Sequence, residues 1–342
     1  MSEPVESRTS KVEGQTVGLP NSAAAHSRPS PWRRAWSRFR RNRLAVFSAG
    51  YLGILIFLIA LWPLGLWLGG RAGPTGAELA RAYAPDRLSD AQFKPPGFRH
   101  WFGTDDHGRD VFSRVLYGAQ ISLLVGVAGA GVSLIIGVLW GATAGYAGGR
   151  VDSLMMRIVD VLYSLPSIIF VIVLLTTLGE LLKQTHWVQQ SPVLLKHFRV
   201  AFLFVGLGAV SWLTMARIVR GQVLSLRTQP FVEASRALGA GPLRILGRHI
   251  IPNVLGVVIV YLMLTVPGII LYETFLSFLG LGIQPPMASW GSLLAQGVDQ
   301  INPIRIYWWL VVFPGAALVL TLLALNFVGD GLRDAWDIKG RS

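Results

Sequence analysis

The chain contains no cysteine among its 342 residues, so neither a disulfide framework nor a thiolate metal site is available to it. Charge is scarce as well: 14% of residues are Asp, Glu, Lys or Arg, against roughly a quarter in a soluble domain. Acid is the scarcer sign, with none between Glu13 and Glu78. The phosphate loop G-x-x-x-x-G-K-[ST] is missing, which excludes nucleotide binding by that device. The deficit of charge is concentrated in six windows that hold no charged residue: Leu44–Gly70, Ile121–Gly149, Val161–Gly179, Val200–Ala216, Val254–Tyr272 and Ile306–Gly329. A helix rises 1.5 Å per residue and needs about 20 apolar residues to cross the hydrocarbon core, and each window is near or above that length. One window could be a buried core helix. Six define an all-α polytopic membrane protein with six transmembrane helices.

A net charge of +13 raises the question of nucleic acid, but basic residues beside membrane spans set orientation without binding a partner. No nucleic-acid partner is expected. The arginines give a topology. Arg28, Arg33, Arg34, Arg38, Arg40, Arg41 and Arg43 precede the first span, which places the N-terminus in the cytoplasm. The connection between spans four and five holds Arg217, Arg220, Arg227, Arg236, Arg244 and Arg248 and falls on the same side, whereas Ile283–Arg305 holds only Asp299 and Arg305. The expected organisation is a disordered cytoplasmic tail (1–30), a basic segment with the first transmembrane helix (31–70), an outer loop (71–119), a five-helix core (120–330) and a cytoplasmic C-terminal tail (331–342). The basic run and apolar stretch after residue 31 are too long for a signal peptide and lack a clean cleavage site.

Finer expectations follow from residue type. A short interfacial helix is expected around "PVLLKHF" in the outer loop Glu180–Arg199. Trp62, Trp67, Trp187, Trp290, Trp308 and Trp309 lie near span ends, as aromatic anchors do. The Gly- and Ala-rich second span should pack inside the bundle, because small residues let backbones approach. Pro166, Pro267 and Pro314 fall inside spans three, five and six and should kink them.

Between spans four and five stands "FVEASRALGAGPLRILGRHIIPN", residues 231–253. Pro230 suits a first helical turn. Phe231, Ser235 and Leu238 then share one face, while Glu233 and Arg236 sit elsewhere. Gly239 and Gly241 offer left-handed positions to end that helix, and Pro242 opens a second short one that stops before Pro252. Such an elbow could be a solvated basic loop, an anchor for anionic lipid or a docking surface for a protein.

The same stretch resembles the signature loop of ATP-binding-cassette importer permeases. Glu233, Ala234 and Ser235 match its start, Gly239 falls six residues after Glu233, and Pro252 thirteen later; His249 and Ile251 depart from the general Ile and Leu. "FGTDDHGRDVFSRVLYGAQISLLVG" (102–126) resembles the dipeptide and oligopeptide permeases. "GAVSWLTMARIVRGQVLSL", "ETFLSFLGLG" and "NFVGDGLRDAWD" are similar to the oligopeptide permease C subunit. The resemblance implies a type I importer permease fold in a bacterial inner membrane, multi-pass, with both termini cytoplasmic. It makes the coupling loop (224–253) the place where a separate ATPase docks, through Phe231, Glu233, Ala234, Ser235, Arg236, Leu238, Gly239 and Pro252. No cofactor or metal is expected in this chain, ATP being bound by two partner ATPase subunits. A second homologous permease, an outer solute-binding protein, membrane lipid and a peptide substrate complete the expected partners. The chain itself is expected to be non-catalytic and to work by alternating access. Dipeptide, nickel or glutathione importers share these motifs and stay open as alternatives. A self-sufficient channel or ion-coupled transporter would show acids or histidines deep in the spans, or an inverted repeat.

Single residues also carry expectations. Glu273, an acid towards the outer end of span five, is a candidate for lining the passage. Asp105, Asp106, His107 and Asp110 have metal-ligand chemistry, but a turn whose aspartates cap Gly108 and the next helix is the better expectation, with Asp110–Arg114 an i, i+4 pair. Asp160 should pair with Arg157. Arg217 and Arg220 should meet headgroups or a neighbouring chain.

Overall fold

The computed structural model describes residues 31–71, 73–184, 192–285, 287–302 and 304–336. The tails expected at 1–30 and beyond 336, and the anchor Trp187, lie outside the described residues. Helix α1 (Pro31–Phe39) presses Ala35 and Phe39 against the end of the last helix and leaves Trp36 exposed. Helix α2 (Arg43–Gly69) begins at Asn42, whose side chain accepts the Ala45 N–H at 3.2 Å and so satisfies one of the unpaired donors of the first turn. Phe47, Ile54 and Phe57 are exposed along it, an apolar face suited to lipid. Helix α3 (Pro74–Ala82) folds back on α2.

The core is built from α4 (Val111–Ala147), α5 (Gly149–Ser164), α6 (Ser167–Gln184), α7 (Pro192–Leu226), α8 (Pro230–Ala237), α9 (Pro242–Ile245), α10 (Ile251–Phe278), α11 (Trp290–Asp299) and α12 (Trp309–Trp336). Five of these runs are long and apolar enough to cross a membrane: α2, α4, the Ala201–Leu226 part of α7, Pro242–Phe278 and α12. α5 and α6 qualify only as a pair bent by 91°. The sixth expected span is present only if this pair counts as one, a broken span or a re-entrant loop, and its bend is sharper than the kink expected at Pro166. Among the described residues the one β-type pairing is a single bridge between Thr104 and Asp110.

The α4–α7 pair forms the largest helix contact, and glycine explains it. Gly137, Gly141 and Gly145 recur every fourth residue on the face of α4 turned to α7. A Cβ at Gly137 would lie 2.6 Å from the Met215 Cβ, and one at Gly145 would lie 2.9 Å from the Arg220 carbonyl oxygen. The two backbones touch because no side chain separates them.

Several boundaries differ from expectation. α4 starts at Val111 with Asp110 as its N-cap, so residues 111–119 belong to the span and not to the outer loop. α12 runs on to Trp336, past the boundary set at 330. The "PVLLKHF" stretch is not a separate interfacial helix; it is the start of the unbroken α7, since no proline interrupts the chain after Pro192 until Pro230. Trp67 and Trp308 are exposed as anchors should be, but Trp290 and Trp309 are buried. Trp290 donates Nε1–H to the Val115 carbonyl at 3.0 Å, and Trp309 donates to the Thr104 carbonyl at 3.1 Å. Both are core residues that lock α11 and α12 to α4 and the loop before it.

Candidate functional site: the elbow between α7 and α10

Pro230 opens α8 at its first position, where a missing N–H costs nothing. Glu233 lies in the first turn and Arg236 in the last, each at the end of the helix dipole that favours its sign. The C-terminus closes with a Schellman motif: Ala240 N–H donates to the Ser235 carbonyl and Gly239 N–H to the Arg236 carbonyl, both at 3.0 Å. Gly239 takes φ +82°, a left-handed value that glycine adopts freely. Gly241 sits at φ −68° and acts as N-cap of α9, so one left-handed glycine, not two, makes the turn.

The second short helix does not stop before Pro252. After α9 the chain passes through a π-turn, Leu246–Ile250, directly into α10, with Pro252 in the first turn of that helix. Proline lacks the N–H for an i−4 bond and its ring crowds that carbonyl; the wider π-turn removes both problems without breaking the helix.

Val232 faces inward with no exposed surface and joins Ile245, Ile250, Val254, Val258, Met215, Val219, Val223 and Ala142 in one apolar cluster. The elbow is thereby seated on the ends of α4, α7 and α10. On the outside, Leu238 is 89% and Leu243 86% exposed, and Phe231 is exposed as well. Glu233, Ala234 and Arg236 share this open surface. Ser235 is half-buried, donates to the Phe231 carbonyl at 2.8 Å and lies 3.4 Å from His249 Nε2. Arg236 reaches back over the Tyr146 ring, 5.8 Å from its centroid. The structure leaves Phe231, Glu233, Ala234, Arg236 and Leu238 exposed, with Phe231 and Leu238 sharing a face and Arg236 turned towards Tyr146. Pro252 lies apart, at the start of α10. Leu243 was missed by sequence reasoning, although a leucine between Pro242 and Arg244 on so short a helix has little core to enter.

The other singled-out residues find different surroundings. Glu273 is not at an opening: it has no exposed surface, and its Oε1 accepts the hydroxyls of Ser277 and Ser289, each at 2.6 Å. Ser289 is also the N-cap of α11, so this carboxyl ties α10 to α11. The sequence placed Glu273 by depth alone and had no signal for a serine sixteen residues on. Asp105 spends Oδ1 on the N–H groups of His107 and Arg109, and Oδ2 on Arg109 Nε at 2.7 Å and Arg114 at 2.5 Å. Asp106 pairs with His107 at 2.7 Å. Ligand atoms of Asp105, Asp106 and His107 come within 4.8 Å of one another, but a metal would have to displace the donors already on Asp105. Asp110 accepts from Ser113 and pairs with His100 at 3.0 Å, not with Arg114. Asp160 pairs with Arg217 at 2.7 Å, not with Arg157, and Arg217 also lies over the Tyr163 ring at 4.2 Å. Arg220 grips Asp152 with two nitrogens, at 2.5 and 2.7 Å, where a lipid or neighbouring chain was expected.

The elbow stands on the ends of three spans and bears exposed leucines with charges nearby. Residues 137–339 match the family described as binding-protein-dependent transport system inner membrane component, and residues 30–68 match the N-terminal TM domain of oligopeptide transport permease C. The chain belongs to that family of multi-pass inner-membrane transport permeases. It is 44% identical to an oligopeptide transport system permease protein of Haemophilus influenzae, over 91% of this chain and 90% of the relative. It is 45% identical to the oligopeptide permease protein of Escherichia coli K12, over 91% and 92%. A dipeptide transport system permease protein of Bacillus subtilis is 43% identical, over 90% and 85%.

Proposed function

We propose that this chain is the permease subunit of an ATP-driven importer for oligopeptides, forming half of the passage with a second, homologous permease. The elbow is the docking point for one of two ATPase subunits, which bind the ATP; an outer solute-binding protein delivers the peptide. The chain performs no catalysis of its own. Its arginine distribution supports cytoplasmic termini and a cytoplasmic elbow. The observation that carries the coupling role is the contrast across α8: Val232 fully buried in the span ends, Leu238 and Leu243 almost fully exposed. A surface anchored on one side and apolar on the other suits a helix-in-groove contact. Closure of the ATPases would move the elbow as one piece with α10, to which the π-turn joins it.

The test is co-purification of the ATPase with this chain from the assembled importer. Glu233→Arg and Gly239→Pro should each lose the ATPase and peptide uptake while the permease pair stays intact. Full ATPase retention and transport in both variants would sink the coupling role. The dipeptide relative supports a second reading, in which the cargo is shorter; uptake of dipeptides but not of longer peptides by the wild-type complex selects it.

A further inference from the structure

Where span three breaks, between Ser164 and Ser167, it opens a cavity of about 290 Å³ against α7 and α10. We propose that this cavity holds the main chain of a transported peptide at mid-membrane, through hydroxyl groups and without charge; the proposal rests on the permease reading above.

The depth comes from the helices. Thr265 is half-way along α10, and Thr214 lies in α7 towards the inner end of the charge-free stretch Val200–Ala216. Both line the cavity, as do Ser167, Ser211 and Tyr272. With Tyr163 these make six hydroxyls within apolar spans, costly unless they have work or water, and polar groups inside a span mark pathways. The backbone argues the same way. Pro166 has no N–H, and the 91° bend interrupts the helical ladder. Irregular backbone at membrane depth persists only inside protein or beside a hydrated space.

The ligand class follows from the protons. Ser211 donates to the Leu207 carbonyl at 3.3 Å and Thr265 to the Tyr261 carbonyl at 2.7 Å. Each spends its hydrogen on its own helix and presents lone pairs to the cavity. Ser167 and Tyr272 lie 3.2 Å apart, oxygen to oxygen, and share one proton between them, leaving one to donate. Thr214 and Tyr163 add two further hydroxyls to the wall, and a wall offering both acceptors and donors matches the repeating N–H and C=O of a peptide chain. Among the described residues no carboxylate, amine or guanidinium lines the cavity, so acidic and basic side chains meet the same wall. Arg217 lies over the ring of the lining Tyr163 at 4.2 Å, and Asp160 neutralises it at 2.7 Å.

The absence of cysteine makes the test direct. Thr214→Cys and Thr265→Cys are introduced singly into the assembled importer in proteoliposomes, and the thiol is probed with methanethiosulfonates of positive and of negative head group. Modification is read on this chain by mass spectrometry, with trialanine as the transported probe. Both reagents should react at rates within about threefold of each other, and saturating trialanine should slow them about tenfold, as expected for nine-tenths occupancy of the site. Thr265→Val should lower trialanine uptake while leaving ATPase co-purification unchanged. Thiols that stay unreactive in every nucleotide state, that react with one charge only, or that trialanine does not protect would overturn the proposal. A parent complex that imports no trialanine would overturn the oligopeptide reading itself, before any variant is made.

Discussion

Truncating the two exposed leucines of the elbow isolates docking from folding. Leu238 and Leu243 are 89% and 86% exposed, so Leu238→Ala and Leu243→Ala remove little that this chain packs against. The melting temperature of the isolated permease should stay where it is. Docking is another matter. Each substitution removes three carbons from an apolar contact, about 2 kcal/mol if the groove covers the side chain fully. That is roughly a 30-fold loss of affinity for each single variant and several hundredfold for the pair, less any coupling between them. The assay is binding of fluorescent ATPase to the permease pair in nanodiscs, with Val232→Ala alongside. Val232 is wholly buried, so that variant should lower the melting temperature by the equivalent of about 2 kcal/mol and shift binding much less. A Leu238→Ala/Leu243→Ala chain that binds ATPase within about threefold of wild type would refute the docking argument, because so small a change leaves no room for two buried leucines.

Gly141→Leu should prevent the α4–α7 contact, since even a Cβ there collides with the Ala216 carbonyl oxygen, and size-exclusion profiles should show loss of monodisperse protein. Glu273→Gln keeps an oxygen for Ser277 and Ser289 and should melt near wild type, whereas Glu273→Leu strands two buried hydroxyls at about 1–3 kcal/mol each. Asp105→Asn leaves the buried Arg114 without its carboxylate and should cost about 3–5 kcal/mol in thermal unfolding. EDTA should leave the wild-type melting curve unchanged, since protein donors already occupy both Asp105 oxygens.

The charge-free windows made the long helices legible, because hydropathy reports which segments leave water. It does not report direction, so the window Val161–Gly179 read as one span although it contains a near right-angle at Pro166. Elbow chemistry was legible from Pro230, Gly239 and Pro242, whose backbone preferences act locally. Leu243 was missed because a four-residue helix has no periodicity to read. Trp290 and Glu273 were misplaced for one shared reason. Near a span end, an indole or a carboxyl looks interfacial, and only the fold shows that α11 tucks back between α4, α10 and α12 and buries both. Asp160 and Arg217 show the same limit, since a partner three residues away is visible in sequence and one on a facing helix is not.

The π-turn at Leu246–Ile250 also sets an angle. Successive residues of an α-helix are about 100° apart around its axis, and a π-turn absorbs one residue beyond that count. Closed as ordinary α-helix with no residue removed, the segment would turn α9 by about 100° relative to α10. Leu243 would then swing off the open face and Ile245 out of the core. A single residue of surplus chain thus indexes the elbow to span five, as a key fixes a gear on its shaft.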